Sequence, residues 1–219
     1  MIHHDHEQGS PEWLQCRAGK ITASRCKDAR DVLKSGKPSG KQIAYAAQVA
    51  VERIAGRPVD QAFVNWQMKE GTAQEPLARI AYEAHTGNLV QEIGALATDD
   101  DLFLYSPDGL VDSDGLLEIK SLFSPERIIQ IIADGDDSDF RDQCNFGLWL
   151  TGRKWIDLVL WCPALEPIGA HMHIRRIERD DDAINAMEAD LMAFAAQVRM
   201  NESKLRRLAA NVDLMKRAA

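Results

Sequence analysis

The sequence has 219 residues, 45% hydrophobic and 27% charged, which suits one domain with a full hydrophobic core. No apolar run approaches the ~20 residues of a transmembrane helix, and the four cysteines lack the short Cys-x-x-Cys spacing of zinc and iron–sulfur sites. We therefore expect a single domain over residues 1–219, without a membrane segment, in the cytoplasm and with reduced thiols.

The net charge of −8 is unevenly distributed along the chain. Residues 17–41 contain eight basic residues against two acidic ones, a local charge of +6, and residues 199–217 carry a local +4. Acidic residues collect at 134–139 and 180–182. A basic channel for a polyanion is one interpretation of this pattern, and solvated helix faces with acidic loops are the other; charge alone does not choose between them.

The first half of the chain is predicted to be mostly helical. Helices are expected over residues 22–34, 41–55 and 72–86, the last two ending before a glycine. The third would open on Thr72-Ala-Gln-Glu75, which fits a capping box. The amino-terminal histidines His3, His4 and His6 are interpreted as part of a frayed terminus.

The middle of the chain favours strands. Short strands are expected over residues 89–98, 102–105 and 115–120, and Ser106–Gly109 has the composition of a turn. Two helical segments, around 125–133 and 140–150, are predicted to follow them.

The last third of the chain favours two strands and then a helix. Residues 155–161 are apolar enough for a central strand, and residues 170–177 alternate like another. A helical segment is expected from about residue 180 to the end. The whole succession predicts an α/β fold with a mixed central sheet of about five strands flanked by helices.

Three polar residues in the middle of the chain suggest a catalytic centre. Asp108 lies in the predicted turn, and Glu118 and Lys120 stand two apart on the next strand, so that both side chains leave the same face of the sheet. A turn followed by a returning strand would bring Asp108 beside Glu118.

This arrangement suits hydrolysis of a phosphodiester. Two carboxylates can hold one or two hard divalent cations, about 4 Å apart in a two-metal site. The backbone carbonyl of Ile119 is a further candidate ligand, and the ammonium of Lys120 can stabilise charge that develops on the phosphate. Turns and Glu-x-Lys strand pairs are also common without any function, so the spacing alone leaves both interpretations open.

Five sequence blocks resemble the lambda exonuclease family, the YqaJ-type viral recombinases or alkaline exonucleases of the PD-(D/E)xK nuclease superfamily. They occur in the family's order and at similar separations, and they are Glu12–Ser24, Glu70–Glu83, Ser106–Leu110, Leu117–Lys120 and Gln143–Trp149. The resemblance implies a restriction-endonuclease-like core.

The resemblance also implies a role for each matching residue. Asp108 and Glu118 match the metal-binding carboxylates, Lys120 matches the catalytic lysine, and Glu75 matches a glutamate that supports the metal centre. The remaining matches concern DNA. Arg17 and Ser24 match positions that hold the 5′-phosphate, and Gln143 matches a glutamine near the active centre. Met68 matches an apolar residue that acts as a wedge at the duplex end. For Met68, ordinary packing is an equal alternative.

Two positions depart from the family pattern. Asn145 replaces the second glutamine of a Gln-x-Gln motif, which leaves a secondary contact in doubt. Pro76 directly follows Glu75, and a proline here would alter the local start of the helix.

The function implied by the resemblance is a 5′-to-3′ exonuclease for double-stranded DNA ends. It would depend on two Mg²⁺ ions, with Mn²⁺ as a substitute. It would release mononucleotides and leave a 3′ single-stranded tail. The resemblance further implies a homotrimeric ring and a single-strand annealing protein as partner, in phage-type recombination. A restriction-like endonuclease with the same core and a non-catalytic DNA-binding relative are the alternatives.

Overall fold

The computed structural model describes residues 1–59 and 66–218, apart from the side chains of Met68 and residues 209–218. Its α-helices are α1 (Pro11–Arg17), α2 (Cys26–Ala29), α3 (Gly40–Ala55), α4 (Trp66–Thr86), α5 (Pro125–Ile128), α6 (Ser138–Thr151) and α7 (Asp181–Ala218). Short 3-10 or π-helical turns lie at Ala23–Arg25, Ile129–Ala133 and Pro163–Ile168. Within the described residues, no helix is both long and apolar enough to cross a lipid bilayer.

The strands form two mixed sheets. They are β1 (Ile2–His4), β2 (Ile21–Thr22), β3 (Val90–Gln91), β4 (Ala95–Ala97), β5 (Phe103–Tyr105), β6 (Gly109–Val111), β7 (Gly115–Ser121), β8 (Trp155–Trp161) and β9 (Met172–Glu178). The larger sheet has the order β3-β6-β7-β8-β9, with β7 and β8 parallel and the other pairs antiparallel. The predicted α/β fold with a mixed five-stranded sheet is confirmed.

A second, four-stranded sheet was not expected from the sequence. Its order is β1-β4-β5-β2, and Ile2, His3 and His4 pair with Ala97, Leu96 and Ala95. The interpretation of the amino terminus as frayed was therefore wrong. Strands of two or three residues give almost no periodic signal, and pairing between positions more than 90 residues apart decides their structure.

Helices cover both faces of the five-stranded sheet. On one face α6 packs against β7 and β8, and α7 packs in turn on α6 and α3. The apolar series that the sequence shows in α7 at steps of three and four is buried in this core: Ile184, Met187, Leu191, Phe194 and Val198. On the other face α4 packs Ala78 and Tyr82 against Leu117 and Val159. The central strands are thus buried on both sides, and polar groups on them need partners from within the protein.

Two predicted helix boundaries were wrong. The helix expected over 22–34 is reduced to a 3-10 turn and α2, because the chain turns back at Gly36 and Val32 bridges to Pro38. Helix α4 is already helical at Trp66, so Glu75 lies inside it and has no capping-box role. Pro76 also lies inside this helix.

The close approach of α6 to β5 generates a stability prediction at Gly147. A Cβ atom built at Gly147 lies 2.7 Å from the Tyr105 ring, whereas one built at Gly71 in α4 has no neighbour within 4 Å. Replacing glycine by alanine inside a helix normally stabilises by ~1 kcal/mol. We expect Gly147→Ala instead to lower the free energy of unfolding by about 1–3 kcal/mol through overpacking.

Chemical denaturation of both variants checks this prediction, with Gly71→Ala as the matched control that should be neutral or stabilising. Stabilisation by Gly147→Ala would show that Tyr105 can move aside without cost.

Candidate active site

The β6–β7 hairpin brings the predicted Asp108 against strand β7. The backbone N–H of Asp108 donates to the carbonyl of Leu117 at 3.2 Å, and its Oδ2 accepts from the N–H of Ile119 at 2.6 Å. Because the N–H and C=O of one strand residue point to the same side, the Ile119 carbonyl faces the edge where Asp108 lies. Asp108 is therefore fixed at the point on β7 between Glu118 and Lys120.

Glu118 is a buried carboxylate with three side-chain partners. It is 1% exposed, and its Oε1 lies 2.8 Å from the Nζ of Lys120. Gln143 on α6 donates its amide to the same oxygen, and the hydroxyl of Tyr105 on β5 donates to Oε2 at 3.0 Å. Strand β7, helix α6 and strand β5 thus each supply one partner of the Glu118 carboxylate.

Glu75 and Asp108 line a cavity of about 370 Å³ between α4, the amino-terminal segment and the 92–94 segment. Arg79, one turn after Glu75, pairs with Glu92 at 2.8 Å and donates to the backbone carbonyl of Asp108 at 3.3 Å. The cavity wall also includes His6 of the amino-terminal segment. Two of the four catalytic residues predicted from the sequence, Glu75 and Asp108, therefore stand at an open cavity, and Glu118 and Lys120 lie on the adjoining strand β7.

The acidic groups of this site oppose one another's ionisation. Burial, followed by the charges of Glu118 and Glu75, raises the pKa of Asp108 well above its usual value. Burial also raises the pKa of Glu75, and the charge of Glu118 adds to that effect. Burial by itself would lower the pKa of Lys120, but the adjacent Glu118 and Asp108 outweigh it and the pKa is raised, so Lys120 remains an ammonium at neutral pH.

The donor set fits a hard divalent cation. Four carboxylates, those of Glu75, Glu92, Asp108 and Glu118, face two cations, Arg79 and Lys120, so the ionised cluster has a formal charge of −2. Within residues 1–59 and 66–218, no three His, Cys, Asp or Glu side chains already form a ligand set. Lys120 and Gln143 both contact the same oxygen of Glu118. Oxygen donors with excess negative charge are the chemistry that magnesium requires.

The predicted phosphate-binding pair, Arg17 and Ser24, also lies together. The Nη2 of Arg17 donates to the Oγ of Ser24 at 3.2 Å. Both residues line a second cavity, of about 620 Å³, whose other basic residues are Lys20, Arg25 and Arg57. Burial lowers the pKa of Arg17, which nevertheless stays a cation at neutral pH.

The side chain of Met68 lies outside the described part of the chain, so its wedge role stays a prediction. Sequence reasoning missed Tyr105 and Arg79. The signal for Arg79 was its place one helical turn after Glu75, on the same face of α4. Tyr105 left no comparable signal, because β5 and β7 belong to different sheets and only tertiary packing brings its hydroxyl to Glu118.

Comparisons with known proteins identify the family of this chain. A family model described as the YqaJ-like viral recombinase domain matches residues 12–154. The chain belongs to this family. A nuclease that acts on DNA is the function that membership of this family indicates.

Solved structures support the same family. The chain is 33% identical to an alkaline exonuclease from Laribacter hongkongensis over 93% of this chain and 100% of that one, with a TM-score of 0.81. A second structure of that enzyme, in complex with dAMP, gives a TM-score of 0.82 at the same identity and coverage. A phage-related exonuclease from Haemophilus somnus shares the fold at 16% identity, covering 85% of this chain and 96% of that one, with a TM-score of 0.62. No curated protein matches the chain.

The raised pKa of Asp108 generates a prediction for Asp108→Asn. A carboxyl whose pKa is raised by folding contributes stability below its unfolded pKa, and that contribution is lost as pH rises through the folded value. We therefore expect Asp108→Asn to raise the Tm of the metal-free protein near neutral pH, where ~1 kcal/mol corresponds to about 2–4 °C. The amide oxygen can still accept from Ile119.

Thermal melts with EDTA and with Mg²⁺ check this prediction. Mg²⁺ should raise the Tm of the wild type more than that of Asp108→Asn. Asp134→Asn, in an exposed loop, serves as the control. A metal-free Tm lower than that of the wild type would contradict the repulsion among these carboxylates.

Proposed function

We propose that this protein is a Mg²⁺-dependent 5′-to-3′ exonuclease that digests double-stranded DNA from its ends, releases mononucleotides and leaves a 3′ single-stranded tail. One observation carries the proposal: Asp108 lies at an acidic cavity and bonds to strand β7 between Glu118 and Lys120, in a chain that aligns over 93% of its length with an alkaline exonuclease. The bound dAMP in that relative supports a mononucleotide as the product.

Asp108, Glu118 and the backbone carbonyl of Ile119 would hold the metal, and Glu75 would support it from across the cavity. A bound divalent ion polarises the phosphodiester and activates water for attack. Mg²⁺ is the proposed ion, with Mn²⁺ as a substitute and two ions in the complete site. Because Lys120 stays protonated, it acts as a fixed positive charge that stabilises the phosphate in the transition state.

The residues around Glu118 keep its carboxylate in one place. Gln143 and Tyr105 hold its two oxygens, and the pKa of Tyr105 is raised by burial and then by Glu118, so its hydroxyl stays a hydrogen-bond donor. A fixed carboxylate costs less reorganisation when substrate and metal bind.

End recognition is assigned to the second cavity. A guanidinium can form a bidentate contact with a terminal phosphate, and the hydroxyl of Ser24 adds a donor beside Arg17. Four basic side chains in this cavity, those of Arg17, Lys20, Arg25 and Arg57, account for DNA binding by a protein of net charge −8. A homotrimeric ring and a single-strand annealing partner complete the proposal for phage-type recombination.

Substitution of the three central residues tests the catalytic assignment. We expect Asp108→Ala, Glu118→Ala and Lys120→Met each to lower the rate of DNA digestion by about 10³-fold or more, because each removes charge stabilisation in the transition state. Digestion of linear duplexes labelled separately at each terminus, with Mg²⁺ or EDTA, measures this. Lys154→Met is the matched control, since Lys154 is exposed and pairs with Asp114 away from the cavity.

The same assay separates the alternatives. A covalently closed plasmid should remain intact, and label at the 5′ end should appear first as a mononucleotide. Cleavage of the closed plasmid would assign a restriction-like endonuclease instead. Binding of DNA without any digestion in Mg²⁺ or Mn²⁺ would assign a non-catalytic relative.

The phosphate-binding role of Arg17 predicts a change in substrate preference. We expect Arg17→Ala to reduce the ratio of rates on 5′-phosphorylated and 5′-hydroxyl duplexes by about tenfold, the scale of one hydrogen bond to a charged group. Single-turnover digestion of the two duplexes measures the ratio. Arg207→Ala on α7 is a control that should keep it, and an unchanged ratio in Arg17→Ala would remove Arg17 from this role.

A further inference from the structure

Trp13 contacts Arg17, which lines the second cavity, and Ser106, two residues before the Asp108 that lines the first. It belongs to α1, where Ser10 caps the helix by accepting from the N–H of Trp13. Trp13 and Arg17 are four residues apart and therefore lie on the same face of α1. No residue of this helix is fully buried, and Trp13 itself is half-buried, with its indole engaged by polar and charged partners.

The indole N–H of Trp13 reaches the turn that carries Asp108. It donates to the Oγ of Ser106 at 3.0 Å, two residues before Asp108. The side-chain amide of Gln8 donates to the backbone carbonyl of Pro107, the next residue of the turn, at 2.8 Å. The amino-terminal segment therefore holds this turn from outside the sheet.

The face of the same indole supports the phosphate-binding arginine. The guanidinium carbon of Arg17 lies 4.3 Å from the centre of the Trp13 ring, within the range of a cation–π contact. Arg17 also donates to Ser24 at 3.2 Å, so its guanidinium is held between an aromatic face and a hydroxyl. One rigid side chain thus connects Arg17 with the Asp108 turn.

We propose that Trp13 is a positioning residue that fixes the distance between the 5′-phosphate site at Arg17 and the metal-binding carboxylate Asp108. This inference rests on the proposed function. An exonuclease that removes single nucleotides must keep the terminal phosphate and the scissile bond one nucleotide apart, and misplacement by ~1 Å can cost about 10²-fold in rate. The indole can supply this spacing because it is one rigid ring whose edge bonds to Ser106 and whose face contacts the Arg17 guanidinium.

The two contacts of Trp13 can be removed separately. Trp13→Phe keeps an aromatic face under Arg17 and loses the N–H, Ser106→Ala loses the acceptor, and Trp13→Leu loses both contacts. We expect Trp13→Phe and Ser106→Ala each to lower kcat by about tenfold, with KM and the phosphate-to-hydroxyl rate ratio close to wild type.

A double-mutant cycle distinguishes positioning from a general loss of structure. Trp13→Phe combined with Ser106→Ala should be no slower than either single variant, because both remove the same hydrogen bond. Trp13→Leu should lower kcat and also reduce the phosphate-to-hydroxyl ratio towards that of Arg17→Ala. Ser106→Thr, which keeps a hydroxyl, should retain most of kcat.

Trp149→Phe is the matched control, because Trp149 packs against Phe103 and Phe146 in the core. It should leave kcat and the rate ratio unchanged. Additive losses in the cycle, or an unchanged ratio in Trp13→Leu, would overturn the role of Trp13 while the proposed exonuclease stands. A wild-type protein that does not digest linear DNA would overturn the proposed function and, with it, this inference.

Discussion

The buried carboxylate of Glu118 is the constraint on which the rest of the site depends. A charged group that is 1% exposed is stable only with partners, and strand β7 supplies the first of them, Lys120, from the same face. Tyr105 and Gln143 then tie β5 and α6 to the same group. Helix α6 passes close to the Tyr105 ring, and only the lack of a Cβ atom at Gly147 allows this approach.

The two cavities divide two electrostatic tasks that would conflict at one place. The cavity at Asp108 concentrates negative charge, which suits a divalent cation but repels DNA phosphates. The cavity at Arg17 concentrates positive charge and suits a terminal phosphate. Separation of these tasks explains how an acidic protein can attract a polyanion, because local fields and not the net charge govern the encounter.

The sequence predicted the features that depend on residues close together in the chain, such as alternation along a strand or the spacing of apolar residues along a helix. Alternation on a strand placed Glu118 beside Lys120, the spacing of three and four residues identified the buried face of α7, and the turn before β6 put Asp108 next to them. The second sheet escaped prediction because its strands have two or three residues and pair over long separations. The contact of Tyr105 with Glu118 escaped because β5 and β7 lie in different sheets, and the capping box at Thr72 was wrong because α4 is already helical at Trp66. The contacts of Trp13 depend on how α1 docks, which no local pattern specifies.

Gly94 shows how tightly the amino-terminal segment is built into the molecule. A Cβ atom at this position would overlap the backbone of His4 and His6, so no other residue fits while β1 pairs with β4. A glycine at the equivalent position can therefore serve as a marker in related chains. It identifies those whose first residues line the same side of the cavity at Asp108. Chains with a larger residue there must place their first residues elsewhere, which would leave this side of the cavity at Asp108 open.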